Sequence, residues 1–123
     1  MKVSAAESQI LKVLWRAKGP IPAEDVARQL GEAHEWSAGT VRTFLARLVK
    51  KKVLAVQKDG RRYLYRPLIN RADYAHAESR KLIDRLFNGR IAAFVTQFSE
   101  AEDLSRDEIT EIKRLIERLD RDR

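Results

Sequence analysis

The chain has 123 residues, of which 44% are hydrophobic and 35% are charged, a composition typical of one folded domain or two small ones. It contains no cysteine, which excludes disulfides, cysteine-ligated zinc, iron–sulfur clusters and thiol catalysis. The longest apolar run, Ile91 to Val95, is too short to cross a bilayer. We therefore expect no membrane insertion and a cytoplasmic location.

The net charge of +7 is concentrated in one segment of the sequence. Residues 37–66 contain nine basic side chains and a single acid, Asp59, whereas the segments on either side are nearly balanced. A basic patch on a balanced body is typical of proteins that bind a polyanion. Charge alone would also suit an acidic membrane surface, so the shape of this segment has to decide between partners.

Two helices are predicted before the basic segment. Ser4 and Glu7 have the spacing of a capping box, in which each side chain bonds the other residue's backbone amide. Apolar residues then recur at helical spacing as far as Trp15. Pro22 suits the first turn of a second helix, and Gly31 is predicted to end it.

A third helix is predicted to begin at the N-cap Ser37 and to have two contrasting faces. Its apolar stripe consists of Val41, Phe44, Leu45, Leu48 and Val49. On the sequence alone, the opposite face contains no carboxylate and is small at its start and cationic further on. That face consists of Gly39, Thr43, Ala46, Arg47 and Lys50, flanked by Thr40 and Arg42.

A β-hairpin is predicted directly after this helix. Asp59-Gly60 lies between two strand-like runs, and an Asp-Gly pair favours a two-residue type I′ turn. Such a turn would place Lys58 opposite Arg61, and Val56 opposite Tyr63. The cations at the tip of the hairpin are Lys58, Arg61 and Arg62.

The remainder of the chain is predicted to form three amphipathic helices. Asn88-Gly89 is the expected end of the first, and Ser105 with Glu108 forms a second capping box at the start of the last. Some fifty residues in three helices bury only a marginal core by themselves. We therefore expect a homodimer through these helices; the alternative is that they fold back on the N-terminal half.

The order of these elements predicts a fold that is mainly α with a small β-hairpin. Residues 1–69 have the order of a winged helix-turn-helix, and residues 70–123 would form a helical dimerisation domain. The third helix fits a DNA major groove, while its free N-terminal amides and the hairpin cations suit phosphates or the minor groove.

Each DNA-binding residue receives a predicted role from its chemistry. Arginine and threonine can read base edges, whereas lysines, hairpin arginines and a helix N-terminus position the backbone. The predicted readers are Thr40, Arg42, Thr43 and Arg47. The predicted phosphate contacts are Ser37, Lys50, Lys51, Lys58, Arg61 and Arg62.

Two other functions remain compatible with the same residues. One is a DNA-coating or architectural protein without sequence preference, and the other is a protein-interaction adaptor. An enzyme is not expected, because no glycine-rich phosphate loop or catalytic constellation is present. His34 and His76 are the only histidines and lie far apart in sequence, so neither a metal site nor a cofactor is predicted.

The segment from Glu35 to Lys52 closely resembles the Trp-Ser-x-x-Thr-φ-Arg-Thr-x-φ-x-Arg-Leu-x-Lys-Lys segment of the penicillinase repressor family, where φ is apolar. Residues 4–15 resemble that family's first helix, and residues 101–109 resemble the start of its last helix. The resemblance implies a homodimeric repressor that binds a short palindromic operator in double-stranded DNA.

The resemblance also implies a mode of release. In well-studied relatives, a membrane sensor for β-lactams triggers proteolysis of an Asn-Phe bond in the dimerisation domain. The matching position here is Gln97-Phe98, where glutamine replaces asparagine. A second departure is Ala38-Gly39, where the relatives often have Pro-Lys, which implies a different operator sequence.

Overall fold

The structure is a computed structural model that describes residues 2–123, apart from the side chain of Glu32, and it confirms a mainly helical fold with a small antiparallel sheet. Contacts divide the chain into two compact units, one ending at Ala75 and the other spanning His76–Arg123. In chain order, the elements are α1 (Ala5–Arg16), β1 (Ile21–Pro22), α2 (Ala23–His34), α3 (Ala38–Lys50), β2 (Leu54–Asp59), β3 (Arg62–Pro67), α4 (Arg71–Phe87), α5 (Ile91–Glu100) and α6 (Arg106–Arg121).

The division between the two units lies inside α4, a few residues beyond the predicted boundary at residues 69 and 70. The predicted boundary itself falls just before the first residue of that helix. One continuous helix therefore begins in the N-terminal unit and continues in the C-terminal one. The assignment of residues 1–69 and 70–123 as separate domains stays a prediction.

Three helices begin at the serines that the sequence indicated. The Ser4 hydroxyl accepts from the Glu7 amide at 3.1 Å, and the Glu7 carboxylate accepts from the Ser4 amide at 2.9 Å. Ser105 and Glu108 form the same reciprocal pair at the start of α6. Ser37 caps α3. These side chains satisfy amides that have no partner within the first turn of a helix.

The predicted end of the second helix at Gly31 is wrong, since α2 continues to His34. The left-handed residue that ends the helix is Glu35, with φ of 56°. Gly31 has a packing role instead: a Cβ at this position would lie 3.3 Å from the Trp36 carbonyl oxygen. The missing side chain lets the connection to α3 pass close to α2.

The sheet has three strands in the order β1-β3-β2, so it contains one strand more than the predicted hairpin. β1 has only two residues, too few to give an alternating pattern in the sequence. It pairs Ile21 with Tyr65 and Pro22 with Leu64, which connects the loop after α1 to the hairpin.

The predicted hairpin register is also wrong. Val56 lies opposite Tyr65 rather than Tyr63, and Asp59 lies opposite Arg62. The two turn residues are therefore Gly60, with φ of 65°, and Arg61, which has no positive φ. Glycine at the first turn position with positive φ is the type II′ pattern, not type I′. A shift of two residues leaves every side chain on its predicted face of the hairpin.

The core of the N-terminal unit lies where α1, α2 and α3 meet the base of the hairpin. The fully buried side chains are Ile10, Leu11, Val13, Val26, Val41, Leu45, Leu48 and Val53. At the edge of this core, the Trp15 indole Nε1 donates to the Ile69 carbonyl oxygen at 2.9 Å, and its ring contacts Tyr74 at 5.5 Å between centroids. Trp15 thus connects α1 to the segment that follows the sheet.

We expect Trp15→Phe to lower the free energy of unfolding of the N-terminal unit by about 1 kcal/mol. Phenylalanine keeps an aromatic ring beside Tyr74 but leaves the Ile69 carbonyl without its donor. Urea denaturation followed by circular dichroism measures the change. A stability equal to that of the wild type would mean that this hydrogen bond contributes nothing net.

Candidate nucleic-acid interface

The orientation of α3 is determined by its apolar stripe. Val41, Leu45 and Leu48 are fully buried, and Phe44 and Val49 are partly buried against the same core. The opposite side of a helix must then face outward. The side chains exposed on that side are Arg42, Thr43, Arg47 and Lys50, as the sequence predicted.

The start of α3 presents backbone amides to solvent. The Ser37 hydroxyl accepts from the Thr40 amide at 3.1 Å and lies 3.0 Å from the Thr40 hydroxyl. The first intrahelical bond runs from the Val41 amide to the Ser37 carbonyl, so the amides of Ala38 and Gly39 have no carbonyl partner within the helix. A Cβ at Gly39 would meet only Ser37 Oγ, at 3.7 Å, which leaves room for a phosphate.

Two of the predicted readers are held by contacts within α3. The Thr43 hydroxyl donates to the Gly39 carbonyl at 3.0 Å, so Thr43 offers its methyl group and an oxygen lone pair to an approaching base. The Arg47 guanidinium lies 5.9 Å from the centre of the Phe44 ring, within cation–π range. Phe44 in turn packs edge-on against Trp36, at 5.1 Å between ring centroids.

Arg42 is not surrounded by cations alone: α3 itself contains no acid, as predicted, but α2 places one beside its outward face. Glu24, in the first turn of α2, places its Oε1 3.5 Å from Arg42 Nη2. The half-buried Tyr65 lies close to both: burial raises the pKa of its hydroxyl, Arg42 opposes that rise and Glu24 adds to it. The pattern of α3 by itself could not reveal an acid contributed by another helix.

Lys51 differs from its neighbour Lys50, although the sequence predicts a phosphate contact for both. Its ammonium donates to Glu7 Oε1 at 2.6 Å and to the Lys2 carbonyl at 2.6 Å, so it is directed toward α1. The Glu7 side chain is only 2% exposed, and its Oε2 is buried without a hydrogen-bond partner in the part of the chain that the structure describes. Lys51 therefore neutralises a buried carboxylate, whereas Lys50 is exposed.

The cations of the hairpin, Lys58, Arg61 and Arg62, are exposed at or beside its tip. Arg61 is one of the two turn residues, and Arg62 forms an exposed ion pair with Asp59 at 3.5 Å. Such an exposed pair contributes little to stability and does not prevent either side chain from moving. The tip keeps a net positive charge of two.

The predicted cleavage position lies in the C-terminal unit. Gln97 and Phe98 are exposed side chains in α5, and the Phe98 ring packs against Phe94 at 5.0 Å between centroids. Within residues 2–123, no helix combines the length and the apolar character needed to cross a membrane.

A helix that buries one side in a three-helix core, exposes cations on the other and precedes a cationic hairpin defines a winged-helix DNA-binding protein. Residues 3–118 match the family described as Penicillinase repressor. The chain belongs to the penicillinase repressor family. This membership confirms the predicted class, a sequence-specific transcriptional repressor.

Individual relatives match over nearly the same length. The chain is 34% identical to the penicillinase repressor of Bacillus licheniformis over 94% of its own length and 90% of that protein. It is 30% identical to the methicillin resistance regulatory protein MecI of Mammaliicoccus sciuri, over 94% and 93% respectively.

A solved structure resembles part of the chain. It is the solution structure of monomeric Bacillus licheniformis BlaI in complex with the blaP half-operator. The two share 36% identity with a TM-score of 0.52, over 60% of this chain and 89% of that one.

We expect Lys51→Met to lower the free energy of unfolding by about 2–3 kcal/mol, because it leaves a buried carboxylate without its cation. The matched control is Lys50→Met, the same substitution at the exposed neighbour, which should change stability by less than about 0.5 kcal/mol. Urea denaturation at neutral pH measures both. Equal stabilities of the two variants would show that the Glu7–Lys51 pair contributes nothing net.

The same pair predicts a dependence on pH. Burial tends to raise the pKa of Glu7, but hydrogen bonds from Lys51 and Ser4 outweigh it and hold the pKa below its ordinary value of 4.5. A lowered pKa stabilises the fold above the unfolded value, and this stabilisation is lost as the pH falls through the folded value. The difference in free energy of unfolding between the wild type and Lys51→Met should therefore narrow as the pH is lowered through 4.5. A difference that stays constant over this range would contradict the claim that the Glu7–Lys51 pair stabilises the fold.

Proposed function

We propose that the chain acts as a homodimer that binds a palindromic operator in double-stranded DNA and blocks transcription in the cytoplasm. The observation that carries the proposal is the outward face of α3. Its side chains are cationic and can donate hydrogen bonds, and they are exposed because the opposite face of the helix is buried. Two such helices in a symmetric dimer would enter major grooves about 34–36 Å apart, on two half-sites of opposite direction.

The contacts divide into reading and positioning contacts. We assign base reading to side chains on the outward face and its flank, and phosphate binding to the start of α3, its last turn and the hairpin tip. Lys51 is left out, since its ammonium is paired with Glu7. The assigned readers are Thr40, Arg42, Thr43 and Arg47. The assigned phosphate contacts are the α3 start at Ser37, and Lys50, Lys58, Arg61 and Arg62.

Dimerisation is supported by the lack of a core in the C-terminal unit. Among the large apolar side chains of residues 76–123, only Ile83 is buried, at 8% exposure. Exposed apolar side chains occur on all three helices and are Leu82, Leu86, Ile91, Val95, Phe98, Leu115, Ile116 and Leu119. A soluble domain rarely leaves so much apolar surface in water, and a second copy would cover it symmetrically.

Release of the repressor would follow from cleavage at Gln97-Phe98 by a sensor-linked protease. The bond is exposed but lies inside α5, so the helix has to unwind locally before a protease can bind it in extended form. Cleavage would separate α6 and its exposed apolar stripe from the rest of the chain. Loss of that stripe would weaken the dimer and would therefore lower its affinity for two half-sites.

Selection of bound duplexes from a random pool tests the DNA-binding part of this proposal. We expect enrichment of an inverted repeat with half-sites about 10 base pairs apart. On that repeat, Arg47→Ala should weaken binding by about 1–3 kcal/mol, with a smaller loss on random duplex. Enrichment of no sequence would contradict the proposal, and equal losses on both duplexes would reassign Arg47 to the phosphate backbone.

Analytical ultracentrifugation tests the dimer. The wild type should sediment at twice the chain mass of 14.2 kDa, and Ile116→Glu should shift it to the monomer because a charge replaces an apolar contact. Ile116 is 59% exposed within the chain, so the variant should still fold. The control is Thr110→Glu, the same charge change on the other side of α6. A monomeric wild type, or equal behaviour of both variants, would contradict dimerisation through α6.

A further inference from the structure

Among the side chains that the structure describes, Glu24 is the acid that forms an ion pair with the outward face of α3, and its position is unfavourable for simple phosphate binding. Its carboxylate repels phosphates at a surface whose affinity depends on cations. Its pair with Arg42 also contributes little to the fold, because the two side chains are 64% and 58% exposed. Stabilisation of the fold therefore does not explain why Glu24 lies at this cationic surface.

The position of Glu24 at the start of α2 does not explain why an acid lies beside the outward face of α3 either. Acids in the first turn of a helix interact favourably with the helix dipole, and both Glu24 and Asp25 occupy that turn of α2. Asp25, however, forms its ion pair with Arg28 on the same helix. Glu24 instead reaches across to α3 and to one of the assigned base readers.

We infer that Glu24 is a specificity-determining residue of the DNA interface, because its carboxylate favours the Arg42 guanidinium at a base-reading position and opposes its transfer to a phosphate. The inference rests on the proposed reading role of Arg42. An arginine has five N–H donors in one plane. Glu24 Oε1 lies 3.5 Å from Nη2 alone, and the other donors of the guanidinium are enough for a bidentate contact with a guanine edge.

The electrostatic cost differs between correct and incorrect DNA. On the operator, Arg42 bonds a base while it keeps its contact with Glu24, so the carboxylate stays neutralised. On random DNA, moving Arg42 to a phosphate would leave Glu24 unpaired beside the negative backbone. That penalty increases as the interface excludes water, since charges interact more strongly at low dielectric. Glu24 thus lowers affinity for random DNA more than affinity for the operator.

The test is the substitution Glu24→Gln, measured on the selected operator and on random duplex over a range of salt concentrations. We expect binding to random duplex to tighten about five- to tenfold, and its log–log salt slope to steepen by about 0.9 as Arg42 gains a phosphate. Binding to the operator should change less than about twofold beyond the control. The ratio of the two affinities should therefore fall about fivefold.

Asp25→Asn is the matched control, since it removes one negative charge from the neighbouring position of the same helix turn. It should tighten binding to both duplexes equally and leave the ratio unchanged. A Glu24→Gln variant with the wild-type ratio, or with the behaviour of Asp25→Asn, would overturn the inference.

Arg42→Ala separates this failure from failure of the proposed reading role. If Arg42 reads a base, its loss weakens operator binding more than random binding, and adding Glu24→Gln to it no longer changes the ratio. If Arg42→Ala weakens both duplexes equally, the reading role and the inference fail together. A normal Arg42→Ala effect with an unchanged ratio in Glu24→Gln overturns the inference alone.

Discussion

The burial of one stripe of α3 is the constraint on which the rest of the structure depends. Val41, Leu45 and Leu48 are each fully enclosed by the N-terminal core, so rotating the helix would expose apolar surface and bury cations. Each large aliphatic side chain contributes about 1.5–3 kcal/mol by its burial. The core therefore fixes which face of α3 points outward, and a face of fixed orientation can distinguish one base sequence from another.

Two ion pairs join α3 to the other helices of the N-terminal unit. At its C-terminal end, the buried Glu7 binds Lys51 and joins α3 to the first turn of α1. At its N-terminal half, Glu24 of α2 meets Arg42 at the protein surface. The first pair contains a buried carboxylate and stabilises the fold, whereas both side chains of the second are exposed, and we assign that pair to recognition. The C-terminal unit has no comparable core, which is consistent with an assembly that depends on a second copy.

The sequence predicted the helices well because a 3.6-residue period and serine caps are local properties. Ser4, Ser37 and Ser105 each begin a helix, and the outward side chains of α3 are those the period indicated. The hairpin register was missed because Asp59-Gly60 and Gly60-Arg61 are both acceptable two-residue turns, and pairing with β1 is not a local property. The sequence could not predict that Glu7 pairs with Lys51 or that Glu24 pairs with Arg42, since each pair joins distant segments of the chain. Lys50 and Lys51 are adjacent residues of the same type, so the sequence could not show that their side chains point in different directions.

Lysine modification footprinting with and without operator DNA tests the central claim most directly, because neighbouring lysines have different predicted environments. Lys50 and Lys58 should react readily in the free protein and become protected on the operator. Lys51 should react slowly in both states, since its ammonium is held by Glu7, and Lys12, exposed on α1, should react in both. Equal reactivity of Lys50 with and without saturating operator would contradict the claim that the outward face of α3 binds DNA.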